Sequence, residues 1–345
     1  MRNLRRLVGA CLVLAVFCGL AYVGQEAEPV GIKMTVAAEK FLASLTPEQK
    51  SKTAFAFDDK ERFNWHFVPL EDKDKKPTRK GVRLEEMTEA QKSAAKELLR
   101  SGLSMEGFQK ATTIMSLEAI LRELEQGKGP VRNPEWYFVT MYGTPAKTGR
   151  WGWRIEGHHL CLNFTVDNGK IVGSTPAFFG ANPAIVKAGP RQGLRTLPEA
   201  EDLARELFGS LDTDQRKAAL QPKQLPEVKA MNKLPELGEQ VGLPAAKLTE
   251  KQRGALAKLL QSYCARLPQD IAEAEMKQVH AADVNRVHLA YWGGLEPGEK
   301  YTYRLHGPTF VVEFLNVQND SANNPANHIH SCWRSLKNDF GLAAK

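Results

Sequence analysis

Two histidines near the end of the chain are the residues best suited to chemistry. His328 and His330 sit two apart in the run N-H-I-H-S-C-W-R. On an extended backbone, residues two apart face the same side. Both imidazoles then reach one point, a recurring arrangement for two ligands of one metal ion. Imidazole suits zinc, copper, iron or nickel, and a third His or a carboxylate completes a three-ligand site with an open position. Such an ion activates a bound water or binds dioxygen. The candidates for the third ligand are His158, His306 and Glu156. They lie in two related stretches, W-G-W-R-I-E-G-H-H-L-C-L-N-F (151–164) and Y-T-Y-R-L-H-G-P-T-F-V-V-E-F (301–314). In register, Arg154 matches Arg304 and Glu156 matches His306. Five of the eight histidines (His158, His159, His306, His328 and His330) lie in or beside these stretches.

With a metal on His328, His330 and either His158 or His306, Glu156 is the candidate general base. Arg154 and Arg304 are candidate clamps for a substrate or a developing oxyanion. The structural alternative is that the rings satisfy buried backbone and the arginines ion-pair with Glu156 and Glu313. A third option is that the arginines receive a carboxylate or phosphate in bidentate fashion. No supported nucleophile pattern is present, so covalent catalysis is disfavoured. Read as strands, the stretches each carry a polar and an apolar end on one face. Arg154, Glu156 and His158 fall with Leu160, Leu162 and Phe164, while Arg304 and His306 fall with Phe310, Val312 and Phe314. Buried charges need partners. A two-fold relation between the stretches would therefore gather Arg154, Glu156, His158, Arg304 and His306 into one cluster. A bulge at Gly157 or Gly307 would shift that parity.

The elements that must position these strands follow from caps and periodicity. The spacing predicts a short tail over 28–37 and a first helix over 41–55, with Thr46 as N-cap and Pro47 at the first helical position. An extended piece at 63–70 and a charge-rich loop at 71–79 follow. Thr88 and Gln91 form a capping box for the next helix. A further helix runs over 104–125, where Ile114, Leu117, Ile120, Leu121 and Leu124 keep helical spacing. Residues 136–141 read as a strand, 143–149 as a hairpin loop, 151–166 as the returning strand, and Asp167-Asn168-Gly169 as a turn. The Gly- and Pro-rich stretch 174–197 holds Phe178, Phe179 and Ile185, so it reads as an ordered connection packed on the fold. The polar, Pro-interrupted stretch 221–242 carries no evident chemistry.

From 207 onward the chain echoes its beginning. L-F-G-S-L-D-T-D-Q-R (207–216) matches F-L-A-S-L-T-P-E-Q-K (41–50), and L-T-E-K-Q-R-G-A-L-A-K-L-L (248–260) matches M-T-E-A-Q-K-S-A-A-K-E-L-L (87–99). Matches in the same order imply an internal duplication. The expected fold is α+β: one pseudo-two-fold domain over 38–345, with halves at 38–173 and 207–345 joined by a connection at 174–206. Each half supplies helices and a β-hairpin, and the hairpins share one antiparallel sheet.

The formal net charge is +7, and Arg2, Arg5 and Arg6 supply three of those charges. The remaining excess is mild and no basic stripe interleaves with aromatics, so nucleic acid is not an expected partner. The basic start and the apolar run 7–23 read as a signal peptide over 1–27. An exported protein, periplasmic or extracellular, with no stable membrane span after cleavage is expected; an uncleaved anchor is the alternative. Cys161, Cys264 and Cys332 then remain, an odd number that matches no zinc framework; the reading is three buried thiols, with one disulfide in an oxidising compartment as the alternative.

The run W-G-W-R-I-E-G-H-H-L, the T-P-A-F-F-G-A-N-P-A segment (175–184), Y-R-L-H-G-P-T-F, and N-H-I-H-S-C-W-R with N-D-F-G (338–341) together resemble the DUF3500 family. These are uncharacterised, often exported bacterial proteins. The resemblance spans roughly 41–341. It implies secretion and marks Glu156, His158, His159, His306, His328, His330 and Arg334 as motif positions, but it implies no particular activity. The expectation is a metal-dependent hydrolase or oxidoreductase. The alternative is a periplasmic protein that binds a metal ion or a small anionic ligand without turnover.

Overall fold

Residues 28–235 and 237–342 are described by the structure, a computed structural model. The signal-peptide reading falls on 1–27 and lies outside them. Helix starts are written in capping residues. Helix α1 (Val30–Ser44) buries Met34, Ala38 and Phe41, and it takes in most of the 28–37 stretch where the sequence suggested a tail. Thr46 then restarts the chain as α2 (Pro47–Thr53), its hydroxyl accepting from Gln49 N while the Gln49 side chain returns to Thr46 N. The expected single helix over 41–55 is therefore two helices, because an N-cap ends one as it begins the next. Thr88 and Gln91 open α3 (Glu89–Ser101), and Ser104 caps α4 (Met105–Glu125). The later set is α5 (Pro198–Gly209), α6 (Thr213–Ala219), α7 (Glu250–Cys264) and α8 (Gln269–Ala281). Asp212 with Gln215 and Thr249 with Gln252 form its capping boxes. The capping glutamines also pair across helices. Gln91 Nε2 donates to Gln49 Oε1 (2.8 Å) and Ser44 O (2.8 Å), and Gln252 Nε2 donates to Gln215 Oε1 (2.8 Å) and Ser210 O (2.9 Å).

The strands are β1 (Ala54–Phe55), β2 (Val82–Arg83), β3 (Phe138–Tyr142), β4 (Arg150–Gly157), β5 (Leu160–Asp167), β6 (Lys170–Gly173), β7 (Ala177–Ala181), β8 (Leu243–Pro244), β9 (His288–Gly293), β10 (Tyr301–His306), β11 (Phe310–Gln318) and β12 (His328–Ser335). They form one sheet in the order β1-β3-β4-β5-β7-β12-β11-β10-β9-β8, with β2 beside β3 and β6 beside β5. Every pairing is antiparallel except β1 with β3. The protein is thus a mixed α+β fold with eight helices among the described residues and a large, mostly antiparallel sheet. Its centre is the β7–β12 pair. β7 comes from the Gly- and Pro-rich stretch expected to be a connection. Pro176 and Pro183 flank A-F-F-G-A without interrupting its ladder, as prolines outside a strand allow.

The 151–166 stretch is not one returning strand. It is the β4–β5 hairpin, turning at His158-His159, with Glu156 opposite Cys161 and Gly157 opposite Leu160. The 301–314 stretch likewise turns between His306 and Phe310, placing Arg304 opposite Glu313. Each turn reverses the expected parity. Trp153, Ile155, Leu160 and Leu162 face the helices, with Phe179, Ile329, Tyr303 and Val312, and they meet Leu98, Ile114, Leu207 and Leu259 in the main core. Arg154, Glu156, Cys161, Phe178, His330 and Cys332 face the other way. Irregular connections cover that second face around a smaller cluster of Trp65, Phe67, Cys161, Phe178, Val228, Cys332 and Phe340. Cys161, Cys264 and Cys332 are buried, free thiols. No helix of the described residues is long and apolar enough to cross a membrane.

Candidate metal centre

Three imidazoles converge on the second face of the sheet at its centre. His328 and His330 project from the start of β12, which pairs with β7 through His330 opposite Gly180. His159 reaches them from the β4–β5 turn. The Nε2 atoms of His328 and His159 are 2.8 Å apart, those of His330 and His159 3.2 Å, and those of His330 and His328 3.1 Å. These three side chains form the one His/Cys/Asp/Glu group suited to a metal ion among the described residues. His159 and His330 are buried, while His328 is half-buried and marks the open side.

The sequence around the hairpin turn makes this convergence local and rigid. His159 takes a left-handed backbone conformation, φ 61°, which for a residue other than glycine is held only by its surroundings. Its N–H donates to Phe67 O (2.8 Å) and its carbonyl accepts from Gly180 N (2.7 Å), so the turn is tied to both neighbours. Gly180 leaves room for the ring: a Cβ there would lie 3.0 Å from His159 Cγ and 2.8 Å from Ile329 O. Phe67 and Phe178, stacked at 4.0 Å, wall the site on the His330 side.

Outer groups fix the rings. His330 Nδ1 meets the Glu227 carboxylate, so that nitrogen carries the proton and Nε2 presents its lone pair. The His158 ring lies against that of His159, with ring centres 3.8 Å apart and planes tilted by 30°. Its Nδ1 meets Glu118, and Arg132 Nη1 is 3.2 Å from the same nitrogen. Arg132 in turn pairs with Glu125, which accepts from Ser321 Oγ at 2.7 Å. Burial holds His159 well below the ordinary histidine range, and the neighbouring rings add to the effect. Burial, then His330 and His158, pushes His328 down to about 2. Both rings are therefore neutral, the form that ligates a metal.

The donor set fits an ion. A neutral imidazole nitrogen is either a donor or an acceptor. Among three such nitrogens in mutual contact, at least two must present the same role to each other. A cation at their common point satisfies all three. Nitrogens 2.0–2.1 Å from one ion and 90° to tetrahedrally apart stand about 2.9–3.4 Å from one another, close to the separations here.

The structure brings together His328 and His330 of the expected ligands. His158 sits beside them but points at Glu118 instead of the common point. His306 is elsewhere. Strand register sets His330 level with Leu315 and Thr302, whereas His306 is level with Val311 and Arg334, four residues or about 13 Å further along the strands. The expected cluster of Arg154, Glu156, His158, Arg304 and His306 does not assemble either. β4 and β10 are separated by β5, β7, β12 and β11, five strand spacings or about 24 Å. Glu156 is instead buried against Arg154 (3.0 Å) and accepts from His66 N (2.8 Å). Arg304 pairs with Glu313 at 2.7 Å.

Glu227 and Glu118 had no visible sequence signal, and His159 was not among the expected ligands. Glu227 lies 103 residues from His330, in a stretch that looked inert, and Glu118 is 40 residues from His158 on α4. The E-G-H-H run did hold the clue for His159. In a two-residue turn after glycine, adjacent histidines diverge, and only one can face the sheet centre.

Comparison with curated proteins and with solved structures finds no match. The family model described as a protein of unknown function, DUF3500, matches residues 28–342, and the chain belongs to that family.

Proposed function

We propose that His159, His328 and His330 hold one divalent transition-metal ion (zinc, copper, iron or nickel) and that the protein is a metal-dependent hydrolase or oxidoreductase. The carrying observation is the triangle of Nε2 atoms at 2.8–3.2 Å, which hydrogen bonds among the rings alone leave unsatisfied. An ion held by three neutral imidazoles keeps a position free and would supply Lewis acidity toward water or a substrate oxygen. The chain's own residues do the rest. Glu227 orients His330, Glu118 with Arg132 fixes His158 against His159, and the half-buried His328 borders the approach. Arg154–Glu156 and Arg304–Glu313 hold strands together in this reading and take no part in chemistry.

The test is metal content of untagged mature protein by elemental analysis, beside a His328→Ala/His330→Ala variant. Near-stoichiometric metal that disappears in the variant supports the site and names the ion. If neither preparation takes metal, even after incubation with zinc, copper, nickel and iron salts, the proposal fails. Stoichiometric metal without an exchangeable water or substrate position would instead favour a binding protein.

Two broader readings belong to the same proposal. The chain is exported after loss of 1–27, supported by the Arg2, Arg5, Arg6 start and the apolar run behind it. Mass spectrometry of the protein recovered from its native cell envelope would test this, and an intact Met1 there would refute cleavage. The two helix sets and their hairpins descend from a duplication, supported by the strand order either side of β7–β12 and by the matching Gln49–Gln91 and Gln215–Gln252 pairs.

A further inference from the structure

The helix side of the sheet contains a buried arginine that forms no ion pair among the described residues. Arg266, in the turn between α7 and α8, is 3% exposed. Among the described residues its side chain makes no hydrogen bond or ion pair, and its Nε is buried without a partner. Its guanidinium carbon lies 4.8 Å from the Phe179 ring centre and 4.5 Å from that of Tyr263. Ring faces attract a guanidinium. They do not replace an acceptor for its buried Nε–H, and a buried donor with no acceptor is costly.

Beside this side chain is a cavity of about 20 Å³, lined by Arg266, Tyr263, Cys264, Ser174, Phe179 and Trp333 among others. It lies where the α3–α4 and α7–α8 turns meet over the central strands, with Ser104 N donating to Arg266 O at 3.0 Å. The hydroxyl groups there are already engaged. The Tyr263 hydroxyl is 2.7 Å from that of Tyr303, and Ser174 Oγ donates to Glu275 at 3.1 Å. Thr175 bonds the Asp339 side chain. Arg266 is the one charged side chain among the residues that line the space.

We infer that the cavity holds a small monovalent inorganic anion of the halide class as the counter-ion of Arg266. The volume has room for one body of about water size, which favours a small ion over phosphate or an organic carboxylate. The walls are mostly apolar, so a second negative charge would go uncompensated. A water would fill the space but leave the charge unbalanced.

The test uses the whole mature protein and does not depend on the metal centre. Crystals grown in bromide should give an anomalous peak within hydrogen-bonding reach of the Arg266 guanidinium. In solution, the melting temperature at equal ionic strength should be roughly 2–4 °C higher in chloride than in gluconate. Arg266→Met should abolish that difference, while Arg266→Lys, which keeps the cation, should retain part of it. If Arg266→Met does not fold, the bromide experiment on the wild type decides alone. A cavity with water density only and equal melting temperatures in both salts would overturn the inference. A halide effect of undiminished size in Arg266→Met would overturn it too.

Discussion

At the scale of single residues, the site depends on keeping imidazoles neutral. Burial and adjacent rings hold His159 far below its ordinary range and His328 at about 2. An unfolded chain protonates these rings near pH 6.5. Above that pH, both folded and unfolded states are neutral. Below it, the unfolded chain takes up protons that the fold refuses, so stability is lost as pH falls from about 6.5 toward the folded values. Metal-free protein should therefore melt at progressively lower temperature between pH 7 and 5, and His328→Ala should flatten that slope; an unchanged slope would refute the assignment. Bound metal should also be released over the same range, because protons compete for the ligands. Glu227 acts one atom further out. Glu227→Gln should weaken metal binding by roughly 10–100-fold in a competition assay while leaving the circular dichroism spectrum unchanged. Wild-type affinity in that variant would show that the carboxylate does not set the His330 ring.

At the scale of elements, the β4–β5 turn and the β7–β12 pair form one unit. The turn supplies His159, β12 supplies His328 and His330, and Gly180 of β7 leaves space for the His159 ring. A methyl at Gly180 meets both that ring and Ile329 O. Gly180→Ala should cost about 1–3 kcal/mol in denaturant unfolding and lower metal occupancy. Normal occupancy would mean that His159 does not need its present pose. Capping glutamines anchor the helices that back this unit. The N-cap at Thr46 and the capping box at Thr88 were legible as local sequence patterns, since a cap needs only residues three apart. The first part of helix α1 was not, because Met34 lay in an apparently loose tail and the Met34, Ala38 and Phe41 face straddled the expected helix start.

At the scale of the whole molecule, the sheet has two unlike faces. One is packed by helices and holds the main core. The other is roofed by connections and holds the His centre together with the buried Arg154–Glu156 pair. Arg154 is fully buried and also reaches Glu61 at 2.9 Å. Arg154→Met leaves the buried Glu156 only the more distant Arg79, at 4.0 Å, and the His66 N–H, so a loss of up to about 3–5 kcal/mol is expected, with metal stoichiometry per folded molecule retained. If stability holds and turnover falls instead, Arg154 belongs to the chemistry after all.

The histidine pair on β12, the mixed α+β class and the family were readable before any coordinates existed, because period-two spacing, capping and long motifs are all local. The partner that completes the triangle was not. His158 and His159 are equivalent in composition and adjacent in sequence, and the choice between them rests on the parity of a two-residue turn. The separation of His306 and Arg304 from His328 rests on strand order, and the roles of Glu227 and Glu118 rest on contacts across 103 and 40 residues. Such contacts are fixed by which faces bury together, and packing of the entire sheet settles that.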